Sequence, residues 1–109
     1  MSQPARFSAR ARREVVAALE AMEHIAARRR LRLVIETAAR RIGQYPALGR
    51  NELSLADARY RFWSISGFPY LLVYRSDTSP PSIVRFVHTA RDLPPLLAEL
   101  RESPDSPKA

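Results

Sequence analysis

The chain has 109 residues and no cysteine, so it has room for one hydrophobic core and cannot form disulfides or thiolate metal sites. Hydrophobic residues make up 46% of the chain, which is enough for a packed core. No apolar run approaches the ~18 residues of a membrane span, and Met1–Arg13 lacks an apolar export segment. We therefore expect a small soluble domain in the cytoplasm.

The net charge of +7 is concentrated in the first half of the chain. Residues 1–50 contain eleven arginines and four glutamates, whereas residues 51–109 contain as many acidic as basic residues. Lys108 is the only lysine, so arginine carries the charge. A basic half of this kind attracts a polyanion, either nucleic acid or an acidic protein. Codon usage that favours arginine is the alternative origin of this composition.

A short strand within Ala5–Ser8 is the first predicted element, and Ser8 is placed to cap the helix that follows. No glycine or proline occurs between Ala9 and Ile42, which predicts helix throughout. The apolar stripe changes phase near Arg28–Arg30, so two packed helices are favoured over one long bent helix. The stripe residues are Val15, Leu19, Met22 and Ala26 before the change, and Leu31, Ile35, Ala38 and Ile42 after it.

Three segments rich in aromatic and branched residues predict strands at Tyr60–Ile65, Tyr70–Arg75 and Ser82–His88. The short loops between them favour an antiparallel meander. Asp92 is placed to cap a last short helix that reaches about Leu100. We expect one α+β domain over residues 5–101, in which a helical hairpin packs on a small antiparallel sheet in the order β-α-α-β-β-β-α. Residues 102–109 are expected to be a disordered tail.

Arginine and aromatic side chains of the predicted sheet are candidate binding residues. Alternation along the strands places Arg61 and Trp63 on one side of the first strand of the meander. One sheet face must cover the helices, so the other is free to present arginines beside aromatics, as nucleic-acid and protein contacts require. Core packing of the aromatics Trp63, Tyr70 and Tyr74 is an equal alternative.

On the second helix, Arg29, Arg32 and Arg40 share one face with Glu36, a pattern more typical of a solvated face than of a docking surface.

His88 ends the last strand and is followed by Arg91. An imidazole that moves a proton, beside a guanidinium that stabilises phosphorane charge, is suited to RNA cleavage. A hydrogen-bonded hinge between the strand and the last helix is the more favoured role of His88. The only other histidine is His24, and no spacing typical of metal ligands or of a phosphate-binding loop is present, so no metal and no cofactor are expected.

Several short motifs follow one another in a characteristic order over about residues 5–100. They are Phe7-Ser8 before a basic helix, Tyr45-Pro46-x-x-Gly49-Arg50, Tyr60-Arg61, Gly67-Phe68 before Tyr70–Arg75, and Val87-His88-Thr89-Ala90-Arg91-Asp92. Together they resemble the ParE branch of the RelE/ParE toxins, which are plasmid stabilisation proteins. The resemblance implies the toxin of a type II toxin–antitoxin pair, encoded beside a ParD-like antitoxin whose disordered C-terminal segment folds over the toxin in a hetero-oligomer. It also implies DNA gyrase as the target, with nucleic acid contacted only indirectly through the complex.

The RelE branch instead cleaves messenger RNA on the ribosome, commonly with a lysine/arginine cluster and a C-terminal tyrosine or histidine. Here no tyrosine follows Tyr74, and the only lysine lies in the predicted tail. We therefore expect an inhibitor without turnover. A ribonuclease that uses His88 and Arg91, and a non-toxic basic binding module, are the alternatives. The candidate residues for the toxic surface or for antitoxin contact are Arg61, Trp63, Arg75, Arg85, His88 and Arg91.

Overall fold

The computed structural model describes residues 2–101, and the predicted tail at 102–109 lies outside them. The element order is β-α-α-β-β-β-α, as predicted. The elements are β1 (Arg6–Phe7), α1 (Ala9–Glu20), α2 (Ile25–Gln44), β2 (Tyr60–Ser64), β3 (Tyr70–Arg75), β4 (Ser82–His88) and α3 (Leu93–Leu96), and the short 3-10 turn Ala98–Leu100 follows α3.

Two helices form a hairpin, and the alternative of one bent helix is excluded. The Ser8 hydroxyl caps α1 by accepting a hydrogen bond of 3.1 Å from the Ala11 amide. The break lies at residues 21–24, so the predicted position near Arg28–Arg30 is wrong. Arg28 lies inside α2, and its guanidinium donates to the Met22 carbonyl at 2.7 Å, which closes the turn. The first apolar stripe therefore continues past the end of α1, because Met22 packs on the core from a non-helical position in the turn.

The sheet has the strand order β1-β4-β3-β2. The predicted meander is confirmed, since β2, β3 and β4 pair antiparallel. The edge strand β1 runs parallel to β4, which makes the sheet as a whole mixed. Gly67 has φ +80° in the turn between β2 and β3, where the Phe68 amide donates to the Ile65 carbonyl at 3.3 Å. This is the position of a type II turn that requires a positive φ, hence glycine.

Both faces of the sheet are buried, so the expectation of one open face with arginines and aromatics is wrong. One face packs on the helical hairpin through residues that include Leu72, Tyr74 and Phe86. The opposite face carries Phe62 and Val73. It is covered by residues that come before β2 or after β4, namely Ala56, Leu97 and Leu100. Alternation along the strands does not show that this face is covered, because the residues that cover it lie outside the strands.

The α-helix after β4 is shorter than predicted, since α3 covers only four residues before the 3-10 turn. Asp92 occupies the N-cap position but makes no capping hydrogen bond with its side chain. The segment is held instead by apolar burial and by a hydrogen bond of 3.0 Å from the Asp57 amide to the Leu100 carbonyl. The segment therefore covers the second sheet face with one turn of α-helix, α3, followed by the 3-10 turn.

Candidate functional site

The loop that follows α2 is held by two residues of the sheet. The Tyr74 hydroxyl accepts a hydrogen bond from the Gly49 amide at 2.8 Å and donates one to the Pro46 carbonyl at 2.7 Å. Arg61 donates to the Gly49 carbonyl at 2.8 Å. A Cβ on Gly49 would lie only 2.9 Å from both the Tyr74 hydroxyl and the Phe62 carbonyl. The structure therefore uses Arg61 to position this loop, and Gly49 permits the close approach.

The aromatic candidates belong to the core, as the alternative interpretation held. Tyr74 is completely buried, and burial raises the pKa of its hydroxyl. Tyr70 stacks on Phe86 with ring centroids 4.8 Å apart. Trp63 is half-buried and packs against the helix-facing core. Of these three side chains, Trp63 and Tyr70 retain partial exposure at the margin of the sheet.

Arg75 lies at the end of β3 and is held by an acidic neighbour. Its Nε and Nη2 donate to the two carboxylate oxygens of Asp77 at 2.9 and 2.7 Å. Arg59 makes the same bidentate contact with Asp57 at 3.1 and 3.0 Å. In each pair the guanidinium hydrogen bonds lower the pKa of the aspartate, because they stabilise its charged form. The charge of Arg75 is therefore balanced locally.

Arg85 is 2% exposed, so the prediction that it lies on an open surface of the chain is wrong. Its Nε and Nη2 donate to Glu14 of α1 at 2.9 to 3.2 Å. Its Nη1 donates to the Leu96 carbonyl at 2.9 Å and to Glu99 at 3.1 Å. Glu14 also accepts from the Phe86 amide at 3.0 Å. Arg85 thus links α1, β4 and the C-terminal segment.

His88 and Arg91 lie together in the turn after β4. The Arg91 amide donates to the His88 carbonyl at 3.1 Å, and the Ala90 amide donates to His88 Nδ1 at 3.0 Å. The His88 ring also contacts Tyr70 edge-on, with centroids 5.2 Å apart. Because the Nδ1 lone pair is occupied, Nε2 carries the proton of the neutral ring. The turn therefore has the hydrogen-bonded geometry of the hinge interpretation, and Arg91 is exposed at it.

The arginine face of α2, formed by Arg29, Arg32 and Arg40, is exposed together with Glu36. Arg40 donates to the Thr37 hydroxyl at 3.2 Å. Within residues 2–101, the ion pairs involve Arg10, Arg50, Arg59, Arg75 and Arg85, and no arginine of α2 is among them. Six arginines of α2 therefore have no carboxylate partner among the described residues.

Apolar grooves, which were not predicted from the sequence, border α2 on both sides. The α1–α2 groove has a volume of about 330 Å³. The α2–β2 groove, on the other side of the helix, has about 310 Å³. The signal in the sequence was Val16 and Leu33, which are apolar residues just outside the buried stripes. The apolar lining is Phe7, Val15, Val16, Leu19 and Ile35 in the first groove, and Leu33, Val34, Ala38 and Trp63 in the second.

No group of three or more histidine, aspartate or glutamate residues in the described part of the chain is arranged to hold a metal ion. Across residues 2–101, no helix combines the length and apolar character needed to cross a bilayer.

A family model described as "ParE toxin of type II toxin-antitoxin system, parDE" matches residues 5–93, which include the hairpin and the whole sheet. No curated protein sequence matches the chain.

Proposed function

Because this chain belongs to the ParE toxin family of type II toxin–antitoxin systems, we propose that it stops growth by binding and inhibiting DNA gyrase. A cognate ParD-like antitoxin neutralises it by forming a hetero-oligomer with it in the cytoplasm. The observation that carries the proposal is the family match over residues 5–93, which covers every strand and both long helices. Family membership implies an antitoxin partner, whereas the target is inferred from the resemblance alone.

The geometry of His88 supports inhibition by binding over cleavage of RNA. A general base must offer a free lone pair to the proton that it removes. In this turn Nδ1 already accepts the Ala90 amide hydrogen, and Nε2 carries the ring proton. The ring would have to lose the Ala90 contact or change its tautomer before it accepted a proton from a ribose hydroxyl. We therefore assign His88 to shaping the turn and Arg91 to contacting the target.

The exposed turn is the best remaining candidate for the toxic surface. Of the six residues predicted for that surface, Arg61, Arg75 and Arg85 each make internal contacts with carbonyl or carboxylate oxygens. Arg91 is exposed, and within the described residues only its backbone amide makes a hydrogen bond. A guanidinium in this position is available to a carboxylate or a phosphate of a partner.

Induced expression in growing bacteria tests the proposal. The unaltered chain is expected to stop colony formation, and co-expression of the protein encoded beside it is expected to restore growth. Arg91→Ala should weaken the arrest, whereas Arg13→Ala, which removes an exposed arginine of α1, should not. Both variants must show the far-UV circular dichroism of the unaltered chain.

The alternatives predict different outcomes in the same cells. A ribosome-dependent ribonuclease would cut messenger RNA within minutes of induction, while a gyrase poison would leave transcripts intact and break DNA. Normal colony formation with soluble, folded protein would favour the non-toxic binding module. Equal toxicity of Arg91→Ala and Arg13→Ala would refute the assignment of the toxic surface to this turn.

A further inference from the structure

The outer surface of α2 is strongly basic. The helix contains six arginines and one acidic residue, Glu36. Arg28 is half-buried and donates to the Met22 carbonyl. The other five arginines are exposed, and none of them forms an ion pair within residues 2–101. These five are Arg29, Arg30, Arg32, Arg40 and Arg41.

The same basic surface extends from α2 to the turn after β4. The Arg30 guanidinium lies over the Phe68 ring, 5.4 Å from its centroid. Phe68 belongs to the turn between β2 and β3, and the carbonyl of the next residue, Pro69, accepts a hydrogen bond from the Thr89 amide at 2.9 Å. The turn between β2 and β3 thus contacts both α2 and the turn that exposes Arg91. We call the five exposed arginines of α2 and Arg91 the basic face.

The part of the basic face on α2 is elongated. Arg29 and Arg41 are twelve positions apart, which corresponds to about 18 Å along the helix axis. Each strand of duplex DNA carries a phosphate roughly every 3.4 Å of its axis, so this length matches about five base pairs. The positive charges lie along a line and do not surround one pocket. This arrangement favours a linear polyanion as the partner.

Leu33 lies within the basic face and is 61% exposed. Arg29 and Arg30 precede it by four and three positions, so their side chains share its side of the helix. Arginine side chains lay their methylene stems along apolar surface and keep their guanidinium groups in the solvent. Because these groups end longer side chains, they reach a partner before Leu33 does.

We infer that the basic face binds the phosphate backbone of the duplex DNA that gyrase holds. The inference rests on the proposed function for the identity of the target, which acts on DNA. Guanidinium groups donate charge-assisted hydrogen bonds to phosphate oxygens, and such contacts position a protein on DNA without reading its sequence. Direct contact with DNA goes beyond the resemblance, which implies contact only through the complex.

An acidic protein is the competing partner, and it would require a different chemistry. Non-specific binding to DNA depends mainly on charge, because neutralised phosphates release their counterions. A carboxylate gains in addition from the planar fork of arginine, which forms two parallel hydrogen bonds that lysine cannot form. A site for DNA should therefore tolerate lysine in place of arginine, whereas a site for carboxylates should not.

The test measures binding of a short fluorescent DNA duplex to the purified chain over a series of salt concentrations. Contacts to Z phosphates give a slope of about −0.9Z between the logarithms of the binding constant and of the salt concentration. Arg30→Gln, Arg40→Gln and Arg91→Gln should each make this slope shallower by about 0.9. Each should also weaken binding by about eightfold at 0.1 M salt, equally for duplexes of different sequence.

Matched variants separate the basic face from net charge. Arg13→Gln removes the same charge at an exposed arginine of α1 and should leave the slope unchanged. Arg30→Lys keeps the charge and should bind the duplex within about twofold of the unaltered chain. Glu36→Gln removes the one acidic group of α2 and should strengthen binding. Circular dichroism and thermal unfolding confirm the fold of every variant.

A second measurement identifies the DNA that the basic face contacts. The affinity of the chain for purified gyrase is compared with and without a duplex bound to the enzyme. Bound DNA should raise this affinity by about tenfold or more. The gain should disappear when Arg30→Gln and Arg40→Gln are combined, and it should persist in Arg13→Gln.

Each contrary result overturns a specific point. Absence of duplex binding at low salt, or equal losses with Arg13→Gln and Arg30→Gln, would overturn the basic face as a DNA site. Binding of polyglutamate that is tighter than binding of the duplex, and that Arg30→Lys abolishes, would show that the partner is an acidic protein. Equal affinity for gyrase with and without DNA would overturn gyrase-held DNA as the occupant.

Failure of the proposed function gives a different pattern. If the chain does not bind gyrase under either condition, gyrase is refuted both as the target and as the holder of the DNA. The titration with free duplex still decides whether the basic face binds DNA, because it contains no gyrase.

Discussion

Glu14 of α1 holds Arg85 of β4 by hydrogen bonds of 2.9 to 3.2 Å across 71 positions of sequence. The same carboxylate accepts the Phe86 amide hydrogen at 3.0 Å. It therefore satisfies a backbone donor in the part of β4 that β1 does not pair with. One acidic residue thus joins the helical layer to the sheet. This explains why an arginine in the middle of a strand is tolerated in the interior.

Removal of Arg85 should be costly for stability. Arg85→Ala would leave the partly buried Glu14 without its cation and the Leu96 carbonyl without a donor. Loss of one partner of a buried ion pair typically lowers the free energy of unfolding by about 3–5 kcal/mol. Arg10→Ala is the control, because the Arg10–Glu99 pair is half-exposed and should contribute less than about 1 kcal/mol. Urea unfolding of both variants measures the difference, and equal losses would contradict the assigned role of Arg85.

Tyr74 should stabilise the loop between α2 and β2 through its hydroxyl. Tyr74→Phe keeps the ring but leaves the Gly49 amide without its acceptor and the Pro46 carbonyl without its donor. We expect the free energy of unfolding to fall by about 1–3 kcal/mol at neutral pH. Amide hydrogen exchange at Gly49 should rise by a larger factor than exchange within β3. Unchanged protection of Gly49 would show that the hydroxyl does not hold the loop.

The buried hydroxyl also predicts a dependence on alkaline pH. Burial raises the pKa of Tyr74 above its ordinary value of 10.0, so above pH 10 the unfolded chain loses this proton before the folded chain does. Stability from this group is therefore complete below pH 10 and falls as the pH rises further. The stability difference between the unaltered chain and Tyr74→Phe should shrink over that range. A constant difference would contradict the assignment.

The two aspartate–arginine pairs predict the opposite dependence at acid pH. The pKa values of Asp57 and Asp77 lie below the ordinary 3.8 because of hydrogen bonds from Arg59 and Arg75. The unfolded chain therefore takes up these protons first, and stability falls as the pH drops through and below 3.8. Replacement of both aspartates by asparagine should flatten this part of the pH profile. NMR titration of the carboxyl carbons provides the direct measurement, and ordinary pKa values for both would contradict the prediction.

Local signals predicted most of the fold. The Ser8 cap and the stripe of Leu31, Ile35, Ala38 and Ile42 depend on neighbouring residues, and the structure confirms both. The strand positions followed from local composition, and two of the three predicted ranges are reproduced residue for residue. Such features are visible in a sequence because their partners are close along the chain.

The candidate site was harder to predict because its contacts span long distances in sequence. Whether Arg85 is exposed depends on Glu14, and whether the second sheet face is open depends on Leu97 and Leu100. The two apolar grooves beside α2 depend on how α1, α2 and β2 pack together. Alternation and periodicity assign residues to faces, but they do not show which faces are covered.

The proposal that bears most on function is that the chain inhibits DNA gyrase and that its antitoxin relieves the inhibition. The direct measurement is supercoiling of relaxed plasmid by purified gyrase with the folded chain added, repeated with the antitoxin present. We predict loss of supercoiling and accumulation of cleaved DNA, both reversed by the antitoxin. Full supercoiling activity in the presence of folded, excess chain would contradict the claim.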